Sequence, residues 1–301
     1  MNISLLGNNG IITKKIYNNN YCDKKFITKL LHNNNSNEIN ISKIISEIKH
    51  FDKYCYPLII ESQVLIPMFS DLWCQINSQY KKKNLYAFNC INGGYDLFLI
   101  KNDATLFNKF KDTILNTKYL LQFIKKICIG IQFLHKHKIV HNDIKLENLV
   151  MSFSNNYYSI RIIDFGLSDV YPFKRFLKSP LGTPGYIPIN NQDFVCGYKY
   201  YPNDWNKGSS NKYTHMSDIT GILKYTYATD IFSLGISLRT LLDNLSNSFF
   251  FGDKNVDFYD LNFGSCFCQK KIVKLYKILE YMLIERVQYR HDITSIIKSI
   301  G

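Results

Sequence analysis

Apolar positions along this chain change their rhythm at Gly93-Gly94. Before that point they fall in short runs at residues 3–6, 11–17, 25–31, 64–69 and 85–90, parted by Gly and Asn, which predicts strands. One interruption is helical: Ile41, Ile44, Ile45, Ile48 and Phe51 recur at three- and four-residue steps. After the glycine pair the period lengthens. Residues 119–135 place Leu120, Leu121, Ile124, Ile127, Cys128, Ile131 and Leu134 on one face of a long helix, and helices also fit 230–243, 270–284 and 292–300. The pattern predicts a small sheet-rich part followed by a larger helical one.

Composition narrows the class. With 301 residues, 46% hydrophobic and 20% charged, the chain is globular, not disordered. Asn runs at 18–20 and 33–35 belong in loops, and heavy use of Lys, Asn, Ile and Tyr is that of an AT-rich genome. The eight cysteines form no CxxC pair, and Cys266-Phe267-Cys268 lacks a second pair or nearby His, so we expect reduced thiols in a cytoplasmic or nuclear compartment, with a host cell or a virion as the place if the source is a virus. The net charge of +13 is spread along the chain, which predicts a solvated basic surface with weak attraction to nucleic acid or anionic surfaces. No apolar run approaches the ~20 residues of a membrane span, and no signal peptide is expected at Met1. Residues 191–227, rich in Tyr, Asn, Lys, Gly and Ser, read as a surface insertion.

Chemistry concentrates in two stretches. His141-Asn142-Asp143-Ile144-Lys145-Leu146-Glu147-Asn148 is followed, after a short apolar hairpin, by Asp164-Phe165-Gly166. Phosphoryl transfer needs such a set: a base to orient a hydroxyl, a cation to steady the moving phosphate, and an Asn and an Asp to hold metal on a nucleotide. Order and spacing resemble the catalytic loop and metal-binding turn of eukaryotic-type serine/threonine protein kinases. The resemblance extends over essentially the whole chain. It implies a bilobal α+β fold (N-lobe 1–91, C-lobe 92–301), ATP and Mg²⁺ as cofactors, and protein Ser/Thr hydroxyls as acceptors. It makes Asp143 the base, Lys145 the neutralising cation, and Asn148 and Asp164 the Mg²⁺ ligands.

The other roles follow by position within that resemblance. Phe26-Ile27-Thr28-Lys29 has the form of the family's third strand, which gives Lys29 the α- and β-phosphates and a helix Glu as partner. Between Glu38 and Glu47, Glu47 is preferred: it lies within the periodic helix, and Phe51, four residues on, can join the apolar column between the lobes, whereas Ser42 cannot. Gly7-Asn8-Asn9-Gly10 is a thin version of the phosphate-covering loop, with Gly7, Asn9 and Gly10 over the nucleotide. Phe88 backs the adenine pocket; Asn89, Cys90 and Ile91 form the strap beside it; Asp96 meets the ribose or a basic substrate residue. Lys145 together with Gly182-Thr183-Pro184-Gly185-Tyr186 points to the Ser/Thr class, with Thr183 bridging Asp143 and Lys145 and Glu147 placed to receive a substrate Arg. Asp230 is expected to accept hydrogen bonds from the catalytic-loop backbone.

Two positions depart from the family. Asn142 replaces the Arg that reads a phosphate on the activation loop, so activity is expected not to depend on phosphorylation near Ser179. Asn190 replaces the Glu that pairs with a buried Arg, here Arg290, which then needs carbonyls or a different acid. The thin glycine loop and the segment at Asn190 keep an alternative open, a pseudokinase or nucleotide-binding scaffold with little activity.

Overall fold

The computed structural model describes residues 3–5, 11–13, 25–31, 36–66, 85–115, 119–154, 157–171, 182–183, 185–186, 219–242, 269–284 and 289–301. The sheet-rich part is one five-stranded sheet. Strands β1 (Ile3–Leu5), β2 (Ile11–Thr13), β3 (Phe26–Leu31), β4 (Leu58–Ile66) and β5 (Leu85–Ile91) run in the order β1-β2-β3-β5-β4, each pair antiparallel. The register sets Lys29 opposite Phe88 and Thr28 opposite Asn89. Because strand side chains alternate, Lys29 shares a face with Leu31 and Phe88, and the apolar cluster Leu31, Ile39, Leu58 and Phe88 closes over that face. An ammonium is thereby embedded in a greasy layer.

The helix that covers this layer, α1 (Asn37–Ser46), starts and stops earlier than the apolar period predicts. Ser36 has extended backbone, and its hydroxyl accepts from the Ile39 amide, a side-chain N-cap. At the far end Glu47 is the C-cap and His50 takes left-handed backbone (φ 65°), so Ile48 and Phe51 lie beyond the helix. Ile39, Ile41 and Ile45 are its buried apolar residues, Glu38 and Ser42 are buried beside them, and Ile44 is exposed.

The helical part is organised around α4 (Leu120–Lys136), which follows β6 (Tyr95–Asp96), α2 (Leu97–Asn102) and α3 (Ala104–Phe110). Leu120, Ile124, Ile127, Cys128, Ile131 and Leu134 are buried as the period predicts, with Phe123 added. Strand β7 (Ile139–Val140) leads into the catalytic loop. The hairpin of β8 (Leu149–Ser154) and β9 (Tyr157–Ile162) separates that loop from the Asp164 turn, and β10 (Asp169–Val170) returns to pair with β7. Gly94 (φ 100°) sits against the Met151 carbonyl, where any Cβ would clash. Helices α5 (Ile219–Leu242), α6 (Gln269–Leu283) and α7 (Ile293–Ile300) complete the core.

Helix α5 begins at Ile219, ahead of the Asp230 start read from the sequence, so the last residues of the expected 191–227 insertion are helical; 191–218 lie outside the described residues, as does Asn190. Arg290 is buried and donates to the carbonyls of Ile284 and Ala228, both at 2.8 Å, with its guanidinium 4.8 Å from the Phe232 ring centroid. Two carbonyls and a ring face are thus among the groups that hold this cation.

Burial pushes the thiols of Cys55, Cys90 and Cys128 up to about 12. Thiolate is the reactive form, and it stays scarce below that value. Alkylation of the native protein at pH 8, followed by peptide mass spectrometry, is expected to leave these three unlabelled and to label them after denaturation.

Candidate active site

Three elements distant in sequence meet at Lys29. Its Nζ donates to Glu38 Oε1 at 2.7 Å and to Asp164 Oδ1 at 3.0 Å, joining β3, the first turn of α1 and the turn after β9. Lys29 and Glu38 are buried. Desolvation alone would lower the lysine pKa, but two carboxylates outweigh it and hold it above its ordinary value. Desolvation raises Glu38 against the pull of Lys29. At the partly exposed Asp164 desolvation of the carboxylate still favours the acid, yet the Lys29 charge and hydrogen bond, aided by His141 and the Gly166 amide, hold it below the usual carboxylate range.

The catalytic loop is anchored by its apolar residues: Ile144, Leu146 and Leu149 are fully buried, which turns Asp143, Lys145, Glu147 and Asn148 toward the cleft side of the loop. Asp143 Oδ1 accepts from Thr183 Oγ1 at 2.6 Å; Oδ2 accepts from Lys145 Nζ at 3.0 Å and Asn148 Nδ2 at 3.1 Å. Lys145 Nζ also donates to Thr183 Oγ1 at 2.9 Å. A carboxylate oxygen has two lone-pair directions, so Oδ1 keeps one for an incoming hydroxyl.

Behind this loop stands Asp230 of α5, fully buried. Its Oδ1 accepts from the Asn142 amide at 2.8 Å, and its Oδ2 from the His141 amide and His135 Nε2, both at 2.9 Å. The His141 ring bonds the Ile163 carbonyl and meets Phe165 edge-on, with centroids 5.2 Å apart. Loop and turn are therefore braced as one unit.

The donor set suits a hard cation shared with a ligand. Asp164 uses Oδ1 for Lys29 while its side chain stays 42% exposed. Asn148 commits its amide nitrogen to the carbonyl and side chain of Asp143, which leaves its amide oxygen for a cation. Mg²⁺ takes such oxygens together with phosphate oxygens and water. Among the described residues no cluster of three or more His, Cys, Asp or Glu side chains could cage a metal alone.

The family description "Protein kinase domain" matches residues 6–298. The chain belongs to this family. Myosin light chain kinase 3 of Rattus norvegicus is 36% identical over 129 residues, covering 38% of this chain and 16% of that protein. Carbon catabolite-derepressing protein kinase of Candida albicans is 39% identical over 67 residues, 22% of this chain and 10% of that protein. Myosin light chain kinase family member 4 of Mus musculus is 29% identical over 179 residues, 58% of this chain and 38% of that protein. The chain thus spans well under two thirds of the length of these relatives.

Within the kinase fold, one sequence expectation is corrected. The partner of Lys29 is Glu38, and Glu47 is exposed at the C-cap of α1. Ser42, four residues after Glu38 and set aside as polar, is fully buried, with its hydroxyl accepting from the Leu58 backbone N–H at 3.1 Å. The signal that could have found Glu38 is the Ser36 cap, which opens the helix and places an acid in its first turn, where the helix dipole favours it. Glu38→Gln is expected to lower kcat/KM for ATP about 10- to 100-fold, a loss of roughly 1.4–2.7 kcal/mol. Glu47→Gln is expected to stay within about twofold of wild type, as exposed substitutions do. Steady-state kinetics on both variants checks this.

The remaining sequence-predicted residues fall as follows. Gly7, Asn9 and Gly10 lie outside the described residues. Asn89 gives its backbone N–H to Ser62 Oγ at 2.7 Å, which removes that group as an adenine contact, while Ile91 ends β5 opposite Phe26. Asp96 is the N-cap of α2, accepting from the Leu99 amide at 2.7 Å, and burial raises its carboxyl. One oxygen of Glu147 is buried without a hydrogen-bond partner.

Proposed function

We propose that the chain is a serine/threonine protein kinase that transfers the γ-phosphate of ATP to Ser or Thr hydroxyls of protein substrates. The observation that carries this reading is the Lys29–Asp164 contact of 3.0 Å, which brings a phosphate-binding cation and a metal-binding carboxylate into one cleft. In this reading Lys29, set by Glu38, grips the α- and β-phosphates, and Asn148 and Asp164 hold Mg²⁺, which supplies charge neutralisation of the triphosphate. Asp143 receives the substrate hydroxyl through the open direction on Oδ1. Lys145 faces the transferring group, an electrostatic role that needs no reorganisation. The Ser/Thr preference rests on Thr183, whose hydroxyl joins Asp143 and Lys145 and shapes the acceptor side. Glu147, with an unpartnered buried oxygen, favours substrates with an Arg near the acceptor. No observation favours a scaffold without chemistry.

The test is labelled phosphate transfer from ATP to matched peptide libraries with Ser, Thr or Tyr acceptors, with and without flanking Arg. Labelling of Ser and Thr peptides, strongest with Arg, is the expected result. Labelling confined to Tyr, or none in the presence of Mg²⁺, overturns it.

A further inference from the structure

We propose that Asn37 is a positioning residue for the metal-binding turn, tying the start of α1 to the backbone that presents Asp164. Its Nδ2 donates to the carbonyls of Ser168 at 2.6 Å and Gly166 at 3.3 Å. Asn37 is the first residue of α1 and precedes Glu38, so the helix turn that partners Lys29 also grips the segment after Asp164. The same segment is held from the other side. Asn142 Nδ2 donates to the Leu167 carbonyl at 3.1 Å, and the buried Ser168 hydroxyl donates to the His141 carbonyl at 3.2 Å. Three successive carbonyls, of Gly166, Leu167 and Ser168, are each taken by an uncharged Asn side chain, one from α1 and one from the catalytic loop.

The turn needs holding. Asp164 has φ 63°, a left-handed backbone that side chains other than Gly adopt at a cost, and surrounding contacts must stabilise it. Asn37 touches neither Lys29 nor Asp164 in any hydrogen bond of the structure, so it acts through the turn. Where the family commonly places a guanidinium that answers to a phosphate, this chain has amide-to-carbonyl ties that are present without modification. The inference rests on Asp164 being the metal ligand of the proposed function.

Asn37→Asp isolates the effect. The side chain keeps its size and an acid is favoured in the first helical turn, but a carboxylate cannot donate to two carbonyls and repels both. The expected result is a fall of about 10- to 100-fold in kcat/KM for MgATP from two lost hydrogen bonds and the repulsion. Peptide KM is expected to stay within about twofold, and the melting temperature to fall by only a few degrees, since the cap and dipole are intact. Asn37→Gln, which keeps the donating amide, is expected to retain activity within about fivefold. Asp164→Asn serves as the control. If Asp164→Asn retains activity, the metal reading fails and the inference with it. If Asp164→Asn is inactive while Asn37→Asp matches wild type, or loses activity only in step with its thermal stability, the proposal for Asn37 alone is overturned.

Discussion

Asp143→Asn is expected to reduce kcat about 10³-fold, within the range that a positioned general base contributes, while ATP affinity stays near that of wild type. The geometry explains why the loss falls on chemistry. Asp143 carries three donors, from Thr183, Lys145 and Asn148, and keeps one lone-pair direction on Oδ1 for a hydroxyl. An amide of the same shape replaces one oxygen by a donor. If that nitrogen takes the Oδ1 position, it opposes both the Thr183 hydroxyl and the substrate; if it takes Oδ2, it opposes the Lys145 ammonium. The first orientation breaks the bridge through Thr183, the second breaks the contacts of Oδ2 with Lys145 and Asn148, and both remove the negative charge that receives the proton. The contacts among Lys29, Glu38 and Asp164 do not involve Asp143, so nucleotide binding is expected to be kept. Single-turnover transfer measured beside nucleotide binding separates the two, and an Asp143→Asn enzyme with wild-type kcat would remove Asp143 from the chemistry.

The second large effect concerns stability. Asp230→Ala is expected to destabilise the fold by about 3–5 kcal/mol, because the buried backbone N–H groups of His141 and Asn142 lose their acceptor. His135, stacked on Tyr227 with centroids 4.3 Å apart, loses its carboxylate partner in the same step. Melting temperature is expected to fall by about 10 °C. Asp230→Asn keeps one acceptor oxygen and should fall between. Catalysis in Asp230→Ala is expected to drop as well, since Asn142 (φ 64°) depends on that acceptor to hold its left-handed turn ahead of Asp143. A thermal scan with wild-type melting would show that the buried carboxylate contributes little.

Much of the site was legible because its residues sit in short segments that fix their own geometry. Asp143, Lys145 and Asn148 lie in one loop whose intervening residues, Ile144 and Leu146, must turn inward. Asp164 follows a hairpin that returns the chain to the same place. Lys29 lies on a mostly apolar strand, and the register opposite Phe88 puts it on the covered face. The choice of Glu47 failed for a physical reason. It assumed that a polar residue cannot enter an apolar column, whereas a serine hydroxyl bonded to the Leu58 amide is a satisfied, small core residue. It also extended α1 by its apolar period, when the Ser36 cap and the left-handed His50 set its ends.

By itself, the sequence determined the inventory of chemistry, the division into a sheet-rich and a helical part, and the buried face of α4. These follow from local spacing, since side-chain direction repeats every two residues on a strand and about every 3.6 on a helix. Only the tertiary structure decided which Glu meets Lys29, that Arg290 rests on the carbonyls of Ile284 and Ala228, and that Asn37 reaches Gly166 and Ser168. Each of these is a contact across elements, set by where a helix end lands on a sheet or turn. A buried charge or amide takes whichever partner that placement brings within about 3 Å, and no periodicity along the chain encodes the distance.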